Sequence, residues 1–471
     1  MKLTRNTKRR LALYGTASVI ATLVFALPRM VRAPAGFVIK RIDPQQALEH
    51  EAMKLLVEYV RIDTTNPPGK TRQAVELLAR LFACEGIPFD IVDDDPDRPI
   101  FVARLAGASR QGALLLLHHM DVVPAGDLSL WAEPPFSGAL GTGNGAQYLY
   151  GRGTLDMKGQ GIAFFMAMAA LKRTGVTPLH DIVYVAEPGE ESFEPERGVG
   201  LLLTRHPALL DGVTDALNEG GVNEALGERV ARFGIEVLQK GVVKLVASSP
   251  DRKKLDAFQA TLKARSEELP YRLLPTASAF MRFVAPGRPE WVRELGEPEK
   301  ALASGTIGRT SETIKGLLKD SIYAGAVRET KEGFEMKISY ATLPGTPVAE
   351  ARARVEGWAK EGGLSIRTEF ITDDAVEAPR AGRVWRTLVE TLTYDPHEPE
   401  ASVGPYMHTV FYTNSHYLRA HGISAYGYSP FNVNIGDAAK VHNRNERIHI
   451  VTFIEGVERT KRLVLELATS P

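Results

Sequence analysis

Three short apolar segments of this chain end in clustered acid or imidazole side chains, and that placement limits the fold more than any other feature. Ala113–Leu117 leads into His118, His119 and Asp121, Ile182–Ala186 into Glu187, Glu190 and Glu191, and Val213–Asn218 into Glu219. Short apolar runs of this kind read as buried strands, and in an open α/β sheet the carboxyl ends of the strands form the ligand crevice. The expected fold class is therefore α/β, with its polar chemistry gathered at one edge of a parallel sheet.

Each element admits a plain reading as well as a chemical one. His119 and Asp121 alternate onto one face of an extended backbone, so the Asp121 carboxylate is expected to accept a hydrogen bond from the imidazole nitrogen that faces away from a metal, while His118 points to the other face. Taken alone, His-x-Asp is a weak signal and reads as an ordinary loop histidine. Asp156 lies in the glycine-rich loop Gly151–Gly159, just before the apolar helical run Ile162–Leu171, where it suits a helix cap as well as a ligand. Lys158 lacks the spacing of a phosphate-binding loop. Glu190 and Glu191 repel one another unless a cation lies beside them. A metal ion gives the pair a purpose, with Glu191 as ligand and Glu190 free to take a proton from water; a solvated acidic turn is the alternative. Recurrence at several strand ends argues against coincidence.

Composition closes other routes. Lys plus Arg and Asp plus Glu both total 57, and no basic stripe with interleaved aromatics is present, so nothing points to nucleic acid. The single Cys84 excludes an intramolecular disulfide and, at the end of the periodic run Ala74–Ala83, is expected to pack in the core. Near the start, Lys2, Arg5, Lys8, Arg9 and Arg10 precede the apolar run Leu11–Leu27. Its length is at the lower limit for a membrane helix, and its flank orients the remainder of the chain outside the cytoplasm. A cleaved signal peptide, giving an exported soluble form, is the alternative.

The ordered set of motifs resembles the di-zinc aminoacylase and carboxypeptidase family, closest in pattern to carboxypeptidase S and the secreted N-acyl amino acid hydrolases, over about residues 45 to 465. The resemblance implies one Zn²⁺ on His119, Asp156 and Glu219 and a second on Asp156, Glu191 and His442, with Co²⁺ or Mn²⁺ as substitutes. His442 comes from the closing motif His442-Asn443-Arg444-Asn445-Glu446. Glu190 would be the general base, and Asp121 would orient His119.

The fold implied is a zinc-peptidase-like catalytic domain with an inserted α+β lid domain, preceded by an N-terminal membrane helix. The expected boundaries are 1–37 for anchor and connector, 38–221 and 368–471 for the catalytic domain, and 222–367 for the lid, which commonly mediates a homodimer. Glu49–Val60 is expected as a helix. Within the insert, Gly234–Val246 and Phe334–Leu343 read as strands, and Arg252–Ser266 and Pro347–Lys360 as helices. The implied reaction is metal-dependent hydrolysis of an N-acyl amino acid or small peptide bearing a free carboxylate. Phe280, Phe283 and Trp291 are candidate lid hydrophobes, and Arg265, Arg272 and Arg282 are candidate cations for that carboxylate.

The chain departs from the family pattern in three places. No histidine occurs between Pro207 and Pro396, where relatives carry a lid histidine, and Lys244–Asp251 stands roughly where that element is expected. Asn414 replaces an acidic residue in Tyr412-Thr413-Asn414-Ser415, and Asn218 precedes Glu219 where close relatives often have Asp. A catalytically weak ligand-binding protein on the same fold, and a membrane-tethered structural protein, are the competing classes.

Overall fold

Alternation along the strand Ser109–His119 shows why the sheet forms. Leu114 and Leu116 enter one hydrophobic core and Leu115 and Leu117 a second on the opposite face, as do Tyr184 and Ala186 against Val183 and Val185 in the strand His180–Glu187. A strand covered on both faces has no solvent side, which accounts for its unbroken apolar sequence. The computed structural model describes residues 42–470 apart from 144, 193, 227–228, 288–293 and 410.

From one edge, the nine-stranded sheet runs Phe89–Val92, Ile100–Leu105, His180–Glu187, Ser109–His119, Val213–Asn218, Ser424–Gly427, Arg229–Gln239 and Ser402–His408, with Val222–Leu226 paired to Arg229–Gln239. The four strands from His180–Glu187 to Ser424–Gly427 are mutually parallel, so His119, Glu190, Glu191 and Glu219 all leave the same end. The helix Lys158–Thr174 is buried along nearly all its length between this sheet and the C-terminal helix Ile450–Thr469, and it stops at Gly175, whose left-handed backbone (φ 70°) suits glycine.

A five-stranded antiparallel sheet, Ser321–Ala324, Gly333–Thr342, Gly241–Ser249 and Ser365–Ile371 with Arg328–Thr330 at its side, carries the helices Arg252–Glu268 and Val348–Glu361 on one face. The stretch Gly234–Val246, expected as one strand, is two: Arg229–Gln239 belongs to the large sheet and Gly241–Ser249 to the small one. Lys240 is the crossing point, its buried ammonium donating to the Lys319 carbonyl at 2.7 Å and to Ser321 Oγ at 2.9 Å. Residues 222–226 and 229–239, grouped with the insert on sequence, thus pair in the large sheet.

Other expectations need correction. The helix expected over Glu49–Val60 is broken at His50, whose extended backbone separates Pro44–Glu49 from Glu51–Val60 and whose Nδ1 accepts from the Ala52 amide. Cys84 is exposed, because Leu78, Leu81 and Phe82 complete the inward stripe before the helix ends. Phe280 packs edge-on against Tyr406 and Phe283 lies against Gly404, so both serve the large sheet's last strand. Trp291 and the Leu11–Leu27 run lie outside the described residues. Among the described residues no helix is long and apolar enough to cross a membrane.

Candidate metal centre

A small three-stranded sheet sets the site. Arg447–His449 pairs antiparallel with Ala146–Tyr150, which pairs with Leu140–Gly143. Arg447 lies opposite Tyr150, so the loop before Arg447 and the loop after Tyr150 emerge side by side. The first carries His442 and the second Asp156. Glu446, fully buried, joins them: its carboxylate takes a 2.6 Å bond from Arg152 and accepts from the Gly153 and Leu155 amides at 3.0 and 2.9 Å. The sequence contained Glu446 in the closing motif but gave no sign of this anchoring, since it depends on a strand register between distant segments.

The two oxygens of Asp156 face two imidazoles. Oδ1 lies 3.0 Å from His119 Nε2, and Oδ2 lies 2.9 Å from His442 Nε2. Glu219 approaches His119 at 3.8 Å and Glu191 approaches His442 at 3.3 Å. One donor atom each of His119, Glu190 and Glu219 falls within 4.8 Å of the others, and the same holds for His119, Asp156 and Glu191. All six side chains therefore converge. His442 reaches this position from a left-handed backbone (φ 60°), a conformation costing about 1–2 kcal/mol for a residue with a Cβ.

The orientation of His119 differs from the expected one. Its Nδ1 donates to the main-chain carbonyl of Asp121 at 2.8 Å, while the nearer Asp121 carboxylate oxygen is 3.7 Å away. The carboxylate instead accepts from Asn66 Nδ2 at 2.8 Å and from the Glu191 amide at 3.1 Å. Residue alternation puts both side chains on one face without deciding which oxygen the ring meets. His118 points to the other face, where its Nε2 meets Tyr59 Oη at 3.1 Å.

Asn218 and Asn414 share one network. Asn218 donates to Thr413 Oγ1 at 3.4 Å and Ser415 Oγ at 3.1 Å, and Asn414 donates to the buried Glu187 carboxylate. An aspartate at 414 would set two buried carboxylates against each other, which the amide avoids. Burial, reinforced by the Asp121 charge, pushes the Glu187 carboxyl up to about 7 despite its bonds from the Val199 amide and Asn414.

The electrostatics fit a cation site. Burial, then repulsion from Glu219 and Glu191, pushes the Glu190 carboxyl well above its ordinary value, and burial with the Asp156 charge pushes Glu191 up to about 7. Burial also opposes ionisation of Asp156, yet hydrogen bonds from His119 and His442 hold it below the usual range. His442 is pushed up to about 11 because Asp156 and Glu191 outweigh its desolvation. Glu191 Oε1 and Asp121 Oδ1 are buried with no hydrogen-bond partner. A set of carboxylates and imidazoles with no thiolate, holding buried acceptors unsatisfied, is donor chemistry suited to a divalent metal ion.

Comparison with known proteins agrees with this chemistry. Residues 115–466 match the family described as peptidase family M20/M25/M40. Aminoacylase-1B of Rattus norvegicus is 25% identical over 434 residues, spanning 90% of this chain and 97% of its own length. Among solved structures, an M20 family metallo-carboxypeptidase from Sulfolobus solfataricus superposes with a TM-score of 0.70 at 15% identity, covering 89% of this chain and 99% of its own. Human carnosine dipeptidase 1 gives 0.63 at 17%, covering 90% and 98%. At these identities the two structures establish the shared fold.

Two outcomes are expected of this geometry. Glu446→Gln leaves Arg152 buried without its counter-charge, a loss of about 3–5 kcal/mol, and loosens the Asp156 loop; a lower urea midpoint together with weaker metal retention checks it, and an unchanged midpoint refutes the anchoring role. Because the carboxylates raise His119 above its ordinary value and push His442 up to about 11, zinc added to the chelator-stripped protein displaces protons from the site. Affinity then falls as pH is lowered, and the calorimetric enthalpy depends on the buffer's own ionisation heat. A buffer-independent enthalpy rules this out.

Proposed function

Because the chain belongs to peptidase family M20/M25/M40, we propose that it hydrolyses the amide bond of N-acyl amino acids or small peptides that carry a free carboxylate. The family and the aminoacylase relatives support metal-dependent hydrolysis of an amide or peptide bond. The finer reading rests above all on Asp156, whose two oxygens face His119 and His442 separately. In this reading one Zn²⁺ is held by His119, Asp156 and Glu219, and the other by Asp156, Glu191 and His442. Cobalt or manganese suits the same oxygen and imidazole donors.

Ions held by these residues would supply Lewis acidity, lowering the pKa of a water and polarising the amide carbonyl. The chain's own residues do the rest. Glu190, buried beside Glu219 and His119, takes the proton of the attacking water and returns it to the leaving nitrogen. Asp121 is a positioning residue: its carbonyl fixes the His119 Nδ1 proton, so that Nε2 is the nitrogen presented to the metal. Asn66 and the Glu191 amide hold the Asp121 carboxylate in turn. A ligand-binding protein with slow turnover is the second reading, favoured by the absence of any histidine between residues 207 and 396.

The expected behaviour separates the roles. Glu190→Gln keeps both ions and lowers kcat by about 10²–10⁴, Glu191→Gln weakens metal retention, and Asp156→Ala depletes both ions together. Metal analysis with turnover of an N-acyl amino acid series reads all three; loss of zinc from Glu190→Gln makes Glu190 a ligand, and retention of one full equivalent by Asp156→Ala ends the shared-carboxylate assignment.

Two finer points rest on the sequence alone, namely a membrane tether through residues 11–27 and a homodimer through the five-stranded unit as lid. Fractionation of the full chain into membranes and sedimentation at twice the monomer mass are expected. A full-length, unprocessed chain found only in the soluble fraction, or monomer mass at all concentrations, removes the respective point.

A further inference from the structure

The three arginines singled out as carboxylate receptors are held elsewhere: Arg265 stacks on Trp358 and pairs with Glu268, Arg272 binds Asp320, the Pro344 carbonyl and Thr346, and Arg282 pairs with Glu299. A different polar side chain reaches the metal centre, from the loop Arg61–Gly69 that closes the helix Glu51–Val60. Asn66 is buried, with 3% of its surface exposed. Its backbone belongs to the frame of the site. Thr64 Oγ1 donates to the Met120 carbonyl at 2.6 Å, Thr65 forms a parallel bridge with Val122, and the Asn66 amide donates to the Val122 carbonyl at 2.8 Å. Residues 64–66 therefore lie alongside residues 120–122, and Asp121 is the residue between. Gly69, at φ 72°, closes the loop by donating its amide to the Thr65 carbonyl at 2.8 Å, and a Cβ there would stand 2.9 Å from Asn66 Cγ. Glycine lets the turn close over the side-chain amide.

Both hydrogens of Asn66 Nδ2 are used. One goes to Asp121 Oδ2 at 2.8 Å and the other to Ser192 Oγ at 2.9 Å. Asp121 Oδ2 also accepts the Glu191 main-chain amide at 3.1 Å. Ser192 Oγ donates onward to Glu194 Oε2 at 3.0 Å, which takes a 2.6 Å bond from Arg98, just before the strand Ile100–Leu105. The turn Glu190–Ser192 is thus fastened at Glu191 through its backbone and at Ser192 through its hydroxyl, and both fastenings meet at the Asn66–Asp121 contact. Among the described residues no side chain hydrogen-bonds to the Glu190 carboxylate, so Glu190 inherits its position from this turn. The residue type at 66 matters to the charge balance. An aspartate would set a further carboxylate against Asp121, whereas the amide offers donors to two acceptors and adds no charge.

We propose that Asn66 is a positioning residue that sets the Glu190–Glu191 turn on the metal centre, one side-chain amide holding the Asp121 carboxylate and the Ser192 hydroxyl at a fixed separation. It acts through two elements at once: the strand end that carries His119 and the turn that carries the proposed base and a proposed ligand. This rests on the proposed hydrolase reading for its effect on turnover, and on the geometry alone for its effect on metal retention.

The test uses the full chain, with zinc affinity read by competition against a chelating indicator, kcat and KM read on N-acetyl-L-leucine, and the urea midpoint read alongside. Asn66→Ala is expected to weaken zinc binding and lower kcat by about 10–100-fold each, with KM changed less than about twofold. Asn66→Asp loses at least as much as Asn66→Ala. Ser192→Ala loses less, Ser192→Thr restores the wild-type values because the hydroxyl is kept, and the double variant Asn66→Ala with Ser192→Ala loses no more than Asn66→Ala alone, since the two residues share one contact. Zinc affinity and kcat of Asn66→Ala at wild-type values, a fall in the urea midpoint with neither of them changed, or losses that add in the double variant overturn the assignment. If Asn66→Ala does not fold, Ser192→Ala against Ser192→Thr decides: a loss that threonine restores supports the role, and equal values overturn it. No hydrolysis by the zinc-loaded wild type overturns the hydrolase reading, and the zinc affinities then judge Asn66 by themselves, a weaker one in Asn66→Ala supporting the role and an unchanged one ending it.

Discussion

The site depends on one carboxylate serving two imidazoles. Asp156 directs one oxygen to His119 and the other to His442, and these residues come from distant parts of the chain. Nothing in a flexible loop would hold that arrangement against the repulsion of Glu190, Glu191 and Glu219. The Arg152–Glu446 pair and the amides of Gly153 and Leu155 do so by fastening the Asp156 loop to the His442 loop in a dry environment. The left-handed backbone at His442 is offset by the same fastening. What the parallel sheet contributes is a common direction: three strand ends deliver their acids to a point that the small three-stranded sheet has already fixed from the other side.

A second layer of order joins the metal centre to the five-stranded unit. Asn218, Thr413, Asn414 and Ser415 form hydrogen bonds that bind the strand ends of Glu187 and Glu219 to the segment carrying Tyr412. Gln239 extends that network to the crossing point at Lys240. The asparagines that depart from the family pattern are therefore compatible with each other, as neutral partners in a region already crowded with carboxylates. Polar groups in such a place are satisfied collectively or at considerable cost.

The large-scale organisation was legible where a segment's physics is local. Apolar runs closed by polar residues gave the central strands, and the positions of His119, Asp156, Glu190, Glu191 and Glu219 followed from their places at strand and helix ends. Long-range pairing was not legible. The sequence offers no means of knowing that Arg272 would be consumed by Asp320, that Glu446 would reach the Asp156 loop, or that His119 would choose a carbonyl over the adjacent carboxylate. Gly234–Val246 read as one strand because the polar pair Gln239-Lys240 resembles any edge position, and its meaning appears only when two sheets claim its two sides. Cys84 shows the limit of periodicity at a helix end, where one residue more or less decides between core and solvent.

The contact between Gly153 and Glu446 spans 293 positions of the chain, and it carries a consequence for biosynthesis. During translation, the strand ends with their acids emerge first, and for most of the synthesis they have neither the second imidazole nor the buried carboxylate that fixes the Asp156 loop. A growing polypeptide therefore has no assembled centre until its final helix is being made. A product that ends before His442 and Glu446 lacks both the second imidazole and the carboxylate that fastens the Asp156 loop, however well its early strands have paired.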